Sequence, residues 1–258
     1  MIDIGANLTN KRFANDLAEV LERAEFAGVK KIIVTGTDLA SSTQALELCE
    51  QYPQLFATVG VHPHDACSLD QVALNSLQTL LEHPKAVAVG ETGLDFNRNF
   101  STPEQQIWAF EQQVNLAIKT QKPLFLHERD AFSQQYSMLQ SARGNIFGAV
   151  AHCFTGSAEA LEKYLDLDLY IGITGWISDE RRGTQLQSLV KHIPDHRLLI
   201  ETDAPYLTPR TLTGKKRKSK NEPANLGHIA EQVGKFRGQS AEHIAAISSA
   251  NAERLFKL

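Results

Sequence analysis

The chain has 258 residues, 42% of them hydrophobic, with 26 Lys and Arg against 30 Asp and Glu and a formal net charge of −4. That length and balance fit one large α/β domain over residues 1–258, and no continuous apolar stretch is long enough for a membrane span. The negative net charge argues against a dedicated duplex binder, whose affinity comes mainly from neutralising phosphates with Lys and Arg. The opening Met1-Ile2-Asp3-Ile4 reads as a strand, with no cationic segment leading into an apolar one. Cys49, Cys67 and Cys153 are odd in number, far apart and without a Cys-x-x-Cys pair, the pattern of a reduced cytoplasmic protein.

Short runs rich in Val, Ile, Leu and Phe predict strands at 2–4, 31–35, 55–59, 86–90, 123–126, 148–151, 169–173 and 198–200. The segments between them carry helical patterns. Residues 16–27 place Leu17, Val20, Leu21 and Ala24 on one stripe and stop at Gly28. Thr102-Pro103-Glu104-Gln105 has the form of a capping box with Pro at the first helical position, predicting a helix to about residue 119. Eight strand-helix units in a chain of about 250 residues predict a (β/α)8 TIM barrel. A doubly wound sheet would more often use fewer strands and a glycine-rich phosphate turn, and neither Gly-x-Gly-x-x-Gly nor a Walker loop occurs. No linker, repeat or heptad breaks the pattern, which suits a barrel that stands alone as a monomer.

Glu91, His127 and His152 stand just past the fourth, fifth and sixth runs, and Glu201 and Asp203 follow the eighth. Side chains at the carboxyl ends of parallel barrel strands converge on one pocket. Strand alternation puts Val87, Val89 and Glu91 on one face, as it does Phe125 with His127 and Val150 with His152, so the polar ends point to the barrel axis. Two imidazoles and two carboxylates so placed form a divalent-metal site, and Glu91 is the candidate bridge between two cations. Any one of these residues alone could be a buried group satisfied by a hydrogen bond; four strand ends together are hard to explain that way. Asp203 is the candidate to orient or deprotonate a water, with Glu201 in support. His62 and His64, on either side of Pro63, are candidates for contact with a phosphate or a hydrated metal.

Arg129 can pair with a phosphate through its guanidinium fork. Lys215, Lys216, Arg217, Lys218 and Lys220, after the last strand, can bind backbone phosphates or form a solvated charged loop. Phe96, Phe154, Trp176 and Tyr206 lie near strand ends, where aromatic rings stack unpaired bases, although core packing is the commoner role.

The segments Pro123-Leu124-Phe125-Leu126-His127-Glu128-Arg129, Ala151-His152-Cys153-Phe154-Thr155-Gly156 and Leu198-Leu199-Ile200-Glu201-Thr202-Asp203-Ala204-Pro205-Tyr206 resemble three signatures of the TatD-type metal-dependent nucleases. Gly60-Val61-His62-Pro63-His64, Gly90-Glu91-Thr92-Gly93-Leu94-Asp95 and Asn221-Glu222-Pro223 fit the same family. The resemblance implies an amidohydrolase-like barrel that hydrolyses nucleic-acid phosphodiesters with divalent metal. In bacteria such enzymes are typically 3′-to-5′ exonucleases preferring single strands, with roles in DNA repair or turnover. One departure concerns strand 1, where the broader family has Asp-x-His-x-His and this chain has Asp3-Ile4-Gly5-Ala6-Asn7, as in the bacterial TatD subgroup. Two imidazoles are thereby missing. The expectation is one firm site from Glu91, His127 and His152 and a weaker, more hydrated one near Asp203, helped by Asn7 or His62. Such a set suits Mg²⁺, which keeps its waters, over Mn²⁺ or Zn²⁺. The residues alone leave two other functions open: a barrel hydrolase acting on a small amide, lactone or phosphoester, and a noncatalytic nucleic-acid-binding protein.

Overall fold

The computed structural model describes residues 1–214 and 219–258. Eight strands form one sheet in chain order: β1 (Ile2–Ala6), β2 (Lys31–Val34), β3 (Leu55–Val59), β4 (Ala86–Asp95), β5 (Leu124–Arg129), β6 (Ala149–Ala151), β7 (Tyr170–Ile173) and β8 (Leu198–Ile200). Each pairs with the next in parallel. The chain beyond β8 closes onto β1: the Asp203 N–H donates to the Gly5 carbonyl at 2.8 Å, and the Asn7 N–H to that of Ala204 at 2.6 Å. Asp3 reinforces this seam from inside, its carboxyl accepting the Thr202 N–H at 2.9 Å and the Thr202 hydroxyl at 2.5 Å. Burial pushes that carboxyl up to about 7 despite the donors from Thr202 and Gly5. The result is a (β/α)8 barrel.

Helices α1 (Leu17–Phe26), α2 (Leu39–Gln51), α3 (Gln71–Leu80), α4 (Pro103–Thr120), α5 (Phe132–Ala142), α6 (Ala158–Asp166) and α7 (Thr184–Leu189) connect the strands, and α8 (Leu226–Arg237) and α9 (Ala241–Phe256) follow β8. Helix α1 buries Val20, Leu21 and Ala24, the predicted stripe, and Gly28 behind it takes a φ of 84° that a side chain would disfavour. Helix α4 starts with the capping box read from sequence: the Thr102 side chain accepts the Gln105 N–H, and Gln105 accepts that of Thr102. Among the described residues, no helix is long and apolar enough to cross a membrane.

The core has two parts. Inside the barrel, Ile2, Ile4, Ile33, Val87, Phe125, Val150, Tyr170 and Leu199 meet, with Ala252, Leu255 and Phe256 of α9 packed against them. A larger cluster joins the outward faces of the strands to the helices. Two expectations need correction. Strands β4 and β5 run through Glu91 and His127 to Asp95 and Arg129, so these two site residues lie within strands, not beyond them. Val89 also leaves the interior: Val87 packs inside with Phe125 and Val150, whereas Val89 belongs to the outer cluster. The cause is a doubled irregularity in β4. Its register slips once against β3, between Ala57 and Thr58, and again against β5, between Val89 and Thr92. Each slip reverses which face a residue takes, so Val89 turns outward and Glu91 turns back to the axis.

Phe125 is fully buried among these interior side chains, with its ring centroid 4.7 Å from that of His152. Replacing it with Ala should lower the unfolding free energy, measured by urea titration, by about 3–5 kcal/mol. A loss below about 1 kcal/mol would mean that the interior is not packed as described.

Candidate metal centre

At the carboxyl-terminal mouth of the barrel lies a cavity of about 1350 Å³ with Glu91, His62, His127, His152 and Asp203 among its lining. One atom organises it. Glu91 Oε1 lies 3.0 Å from His152 Nε2, 3.1 Å from His127 Nδ1 and 3.4 Å from His62 Nε2. The imidazoles arrive from β5, from the residue after β6 and from the loop after β3, so the barrel joins positions far apart in sequence. His62, Glu91 and His127 each offer a ligand atom within 4.8 Å of the others, a group that can hold a metal ion. Nitrogen and carboxylate oxygen are the donors that divalent transition metals take.

A ring of further contacts fixes these side chains. Glu201 is fully buried, with Oε2 3.1 Å from His152 Nδ1 and Oε1 accepting the Cys153 N–H at 2.6 Å. Its carboxylate fits because β1 and β7 have no side chains beside it: a Cβ at Gly5 would stand 2.5 Å from Glu201 Oε2, and one at Gly172 2.6 Å from Oε1. Half-buried Asp203 turns into the cavity with a φ of 53° and accepts a hydrogen bond from Asn7 Nδ2 at 2.9 Å. His62 Nδ1 accepts the His64 N–H at 3.1 Å. Asp95 was not singled out from the sequence, yet its Oδ2 lies 2.8 Å from His64 Nε2 and 3.3 Å from His127 Nε2. Its sequence signals are its place four residues after Glu91 and at the end of the family-like segment Gly90 to Asp95, and its contact with His127 becomes meaningful only once β4 is known to continue that far.

The electrostatics follow from burying acids and imidazoles together. Burial pushes the Glu91 carboxyl up, but His152, His62 and His127 outweigh it and hold the carboxyl well below its usual range. Burial favours the neutral form of His127, yet Asp95 and Glu91 raise it above the ordinary imidazole value. For His152 the same competition, with Glu201 and Glu91 as the anions, ends well above that value. His62 is driven the other way, to about 3, chiefly by burial and further by the neighbouring imidazoles. The Asp203 carboxyl is pushed up to about 7 by burial, with His152 opposing and Glu91 and Glu201 adding.

Around the rim, Arg129 is exposed and makes no ion pair among the described residues. Phe96, Trp176 and Tyr206 line the cavity; the guanidinium of Arg182 lies over the Trp176 ring at 4.4 Å. Phe154 does not join them, being buried in the outer core beside Tyr164. Lys220 is likewise held elsewhere, in an ion pair with Asp16 and over the Phe13 ring. Lys215, Lys216, Arg217 and Lys218 lie outside the described residues.

The sequence matches the family described as TatD related DNase over residues 2–257. The chain belongs to that family. A protein of Edwardsiella piscicida named "3'-5' ssDNA/RNA exonuclease TatD" is 51% identical, with 100% of each chain covered. The protein of the same name from Escherichia coli K12 is 46% identical over 99% of this chain and 98% of its own. Among solved structures, the TatD homologue YJJV of Escherichia coli superimposes with a TM-score of 0.91 at 31% identity, covering 100% of this chain and 98% of that one. A TatD-family hydrolase of Entamoeba histolytica gives 0.89 at 30%, covering 99% and 97%. Family membership makes this chain a hydrolytic nuclease.

These shifts predict opposite pH trends with and without metal. His127 and His152 titrate above their unfolded value, so the stability they contribute is complete below about 6.5 and is lost as pH rises through their folded values. Asp3 and Asp203, raised to about 7, are less stable folded once ionised and act in the same direction. His62 opposes them only below its unfolded value. Chelator-treated protein should therefore melt at a lower temperature at about pH 9 than at about pH 7, while added Mn²⁺, which competes with those imidazole protons, should raise the melting point more at about pH 9. A Mn²⁺ effect independent of pH would contradict imidazole ligation.

Proposed function

We propose that this protein is a divalent-metal-dependent 3′-to-5′ exonuclease acting on single-stranded DNA and RNA, in cytoplasmic nucleic-acid turnover or repair. The observation that carries the reading is the convergence of His127 Nδ1 and His152 Nε2 on Glu91 Oε1, in a family of nucleases. The polarity and the single-stranded substrate come from the relatives at 46% to 51% identity that bear that name.

Hydrogen-bond partners sort the imidazoles. Glu201 accepts from His152 Nδ1, which leaves the lone pair of Nε2 for a cation. His62 Nδ1 already accepts a backbone N–H, so neutral His62 has its proton on Nε2. We therefore assign Glu91, His127 and His152 as the ligands of the firm site, and His62 as a donor toward a phosphate oxygen. Near Asp203 the other side-chain donor is the Asn7 amide, and position 5 has no room for a ligand beside Glu201. A weaker, hydrated second site there favours Mg²⁺.

The chemistry that a divalent cation supplies at such a site is neutralisation of phosphate charge and acidification of water. Asp203, raised to about 7 and held by Asn7, suits a group that takes a proton from the attacking water near neutral pH. Arg129 on the rim has its guanidinium free to pair with a backbone phosphate. An open, polar-lined cavity with an unpaired arginine suits a polyanion better than a small neutral amide or lactone.

An end-labelled single-stranded oligonucleotide should shorten progressively from its 3′ end when Mg²⁺ is restored after chelation. Glu91→Ala and Asp203→Ala should each slow this by at least about 100-fold. Full-rate shortening by Glu91→Ala would remove the metal assignment, and internal cuts alone would remove the exonuclease reading.

A further inference from the structure

Asp95 closes β4 with its side chain almost fully buried, 1% exposed. Its Oδ1 accepts the N–H groups of Asn97 at 3.0 Å and Arg98 at 2.9 Å, which turns the following loop around the carboxylate. Gln106 of α4 braces the same residue, accepting its N–H at 2.8 Å and donating to its carbonyl at 3.0 Å. The carboxylate is thus fixed before it meets any histidine. Oδ2 is left facing the edge of the metal centre, 3.3 Å from His127 Nε2 and 2.8 Å from His64 Nε2.

An ionised carboxylate only accepts hydrogen bonds, so the ring nitrogen that faces it carries a proton. On His127 that nitrogen is Nε2, and the nitrogen left with a lone pair is Nδ1, 3.1 Å from Glu91 Oε1. His152 has the reverse arrangement: Glu201 sits on Nδ1, and Nε2 faces Glu91. We propose that Asp95 is the positioning residue that selects Nδ1 of His127 as the cation-binding nitrogen and sets the angle of the ring. The inference rests on the reading of Glu91, His127 and His152 as the ligands. The two imidazoles use opposite nitrogens because each has its own buried carboxylate on the opposite edge. Partners of this kind orient ligand histidines and raise their basicity, and losing one weakens metal binding.

Asp95→Asn is the informative change, because the two roles of the side chain separate in it. An amide oxygen in place of Oδ1 still accepts from Asn97 and Arg98, so the loop keeps its shape. The amide NH₂ then faces His127, whose Nε2 must accept, which moves the ring proton to Nδ1 where the cation belongs. Mn²⁺ binding to chelator-treated, full-length protein, measured by calorimetry, should weaken roughly 10- to 100-fold in Asp95→Asn, with cooperative cation-free unfolding retained. Nitrogen-15 spectra of the histidines should show His127 protonated at Nε2 in the Mg²⁺-loaded wild type, a readout that needs no variant. Mn²⁺ binding kept in Asp95→Asn but lost in Glu91→Ala overturns this inference alone; binding kept in both overturns the metal reading with it. A proton on Nδ1 of His127 in the loaded wild type also overturns the inference.

Discussion

A carboxylate taken out of water stays charged only where positive charge or hydrogen bonds replace the lost solvation. Glu91 is buried, and what replaces the water around its Oε1 is three imidazole nitrogens between 3.0 and 3.4 Å away. The rest of the site answers that one demand. Strands β5 and β6 must pair in register beside β4 to deliver His127 and His152, and the loop after β3 must fold inward to bring His62. The barrel is the device that places all of them at one end. Its packed interior, with Phe125 beneath His152, keeps them from settling deeper.

The cost of the arrangement is visible in its neighbours. His127 and His152 are pulled toward the charged form, His62 toward the neutral form, and Asp203 toward protonation, all within one cavity. Groups whose environments push their titrations apart in this way are characteristic of catalytic clusters. A cation carries charge into the same space and relieves the mismatch, so binding there couples to stability. Glu201 and Asp95 stand outside the cavity floor with their remaining oxygens tied to backbone N–H groups, which holds the rings of His152 and His127 from behind.

Much of this was legible in the chain. The apolar runs gave all eight strands because a barrel strand is buried on both faces and reads as a short continuous hydrophobic stretch. Glu91, His127 and His152 were recognisable because each follows such a run. What stayed hidden depends on register. Strict alternation assigned Val89 to the interior, and the slip of β4 against β3, which no propensity encodes, turned it outward. The same extension of β4 carries Asp95 into contact with His127, a pairing visible only once β4 and β5 are aligned. Phe154 follows His152 by two positions and suggested a stacking surface; the φ of 45° at Cys153 redirects the chain and buries the ring against Tyr164. Lys220 belongs to a charged run, but Asp16 at the start of α1 captures its ammonium group.

The central claim is that one cation sits between β4, β5 and β6 and touches three named atoms. An anomalous difference map from crystals soaked in Mn²⁺ tests it directly. The strongest peak should fall at coordination distance, roughly 2.0–2.3 Å, from Glu91 Oε1, His127 Nδ1 and His152 Nε2. A strongest peak bound through His62 Nε2 with His152 free, or no peak beside Glu91, would contradict it.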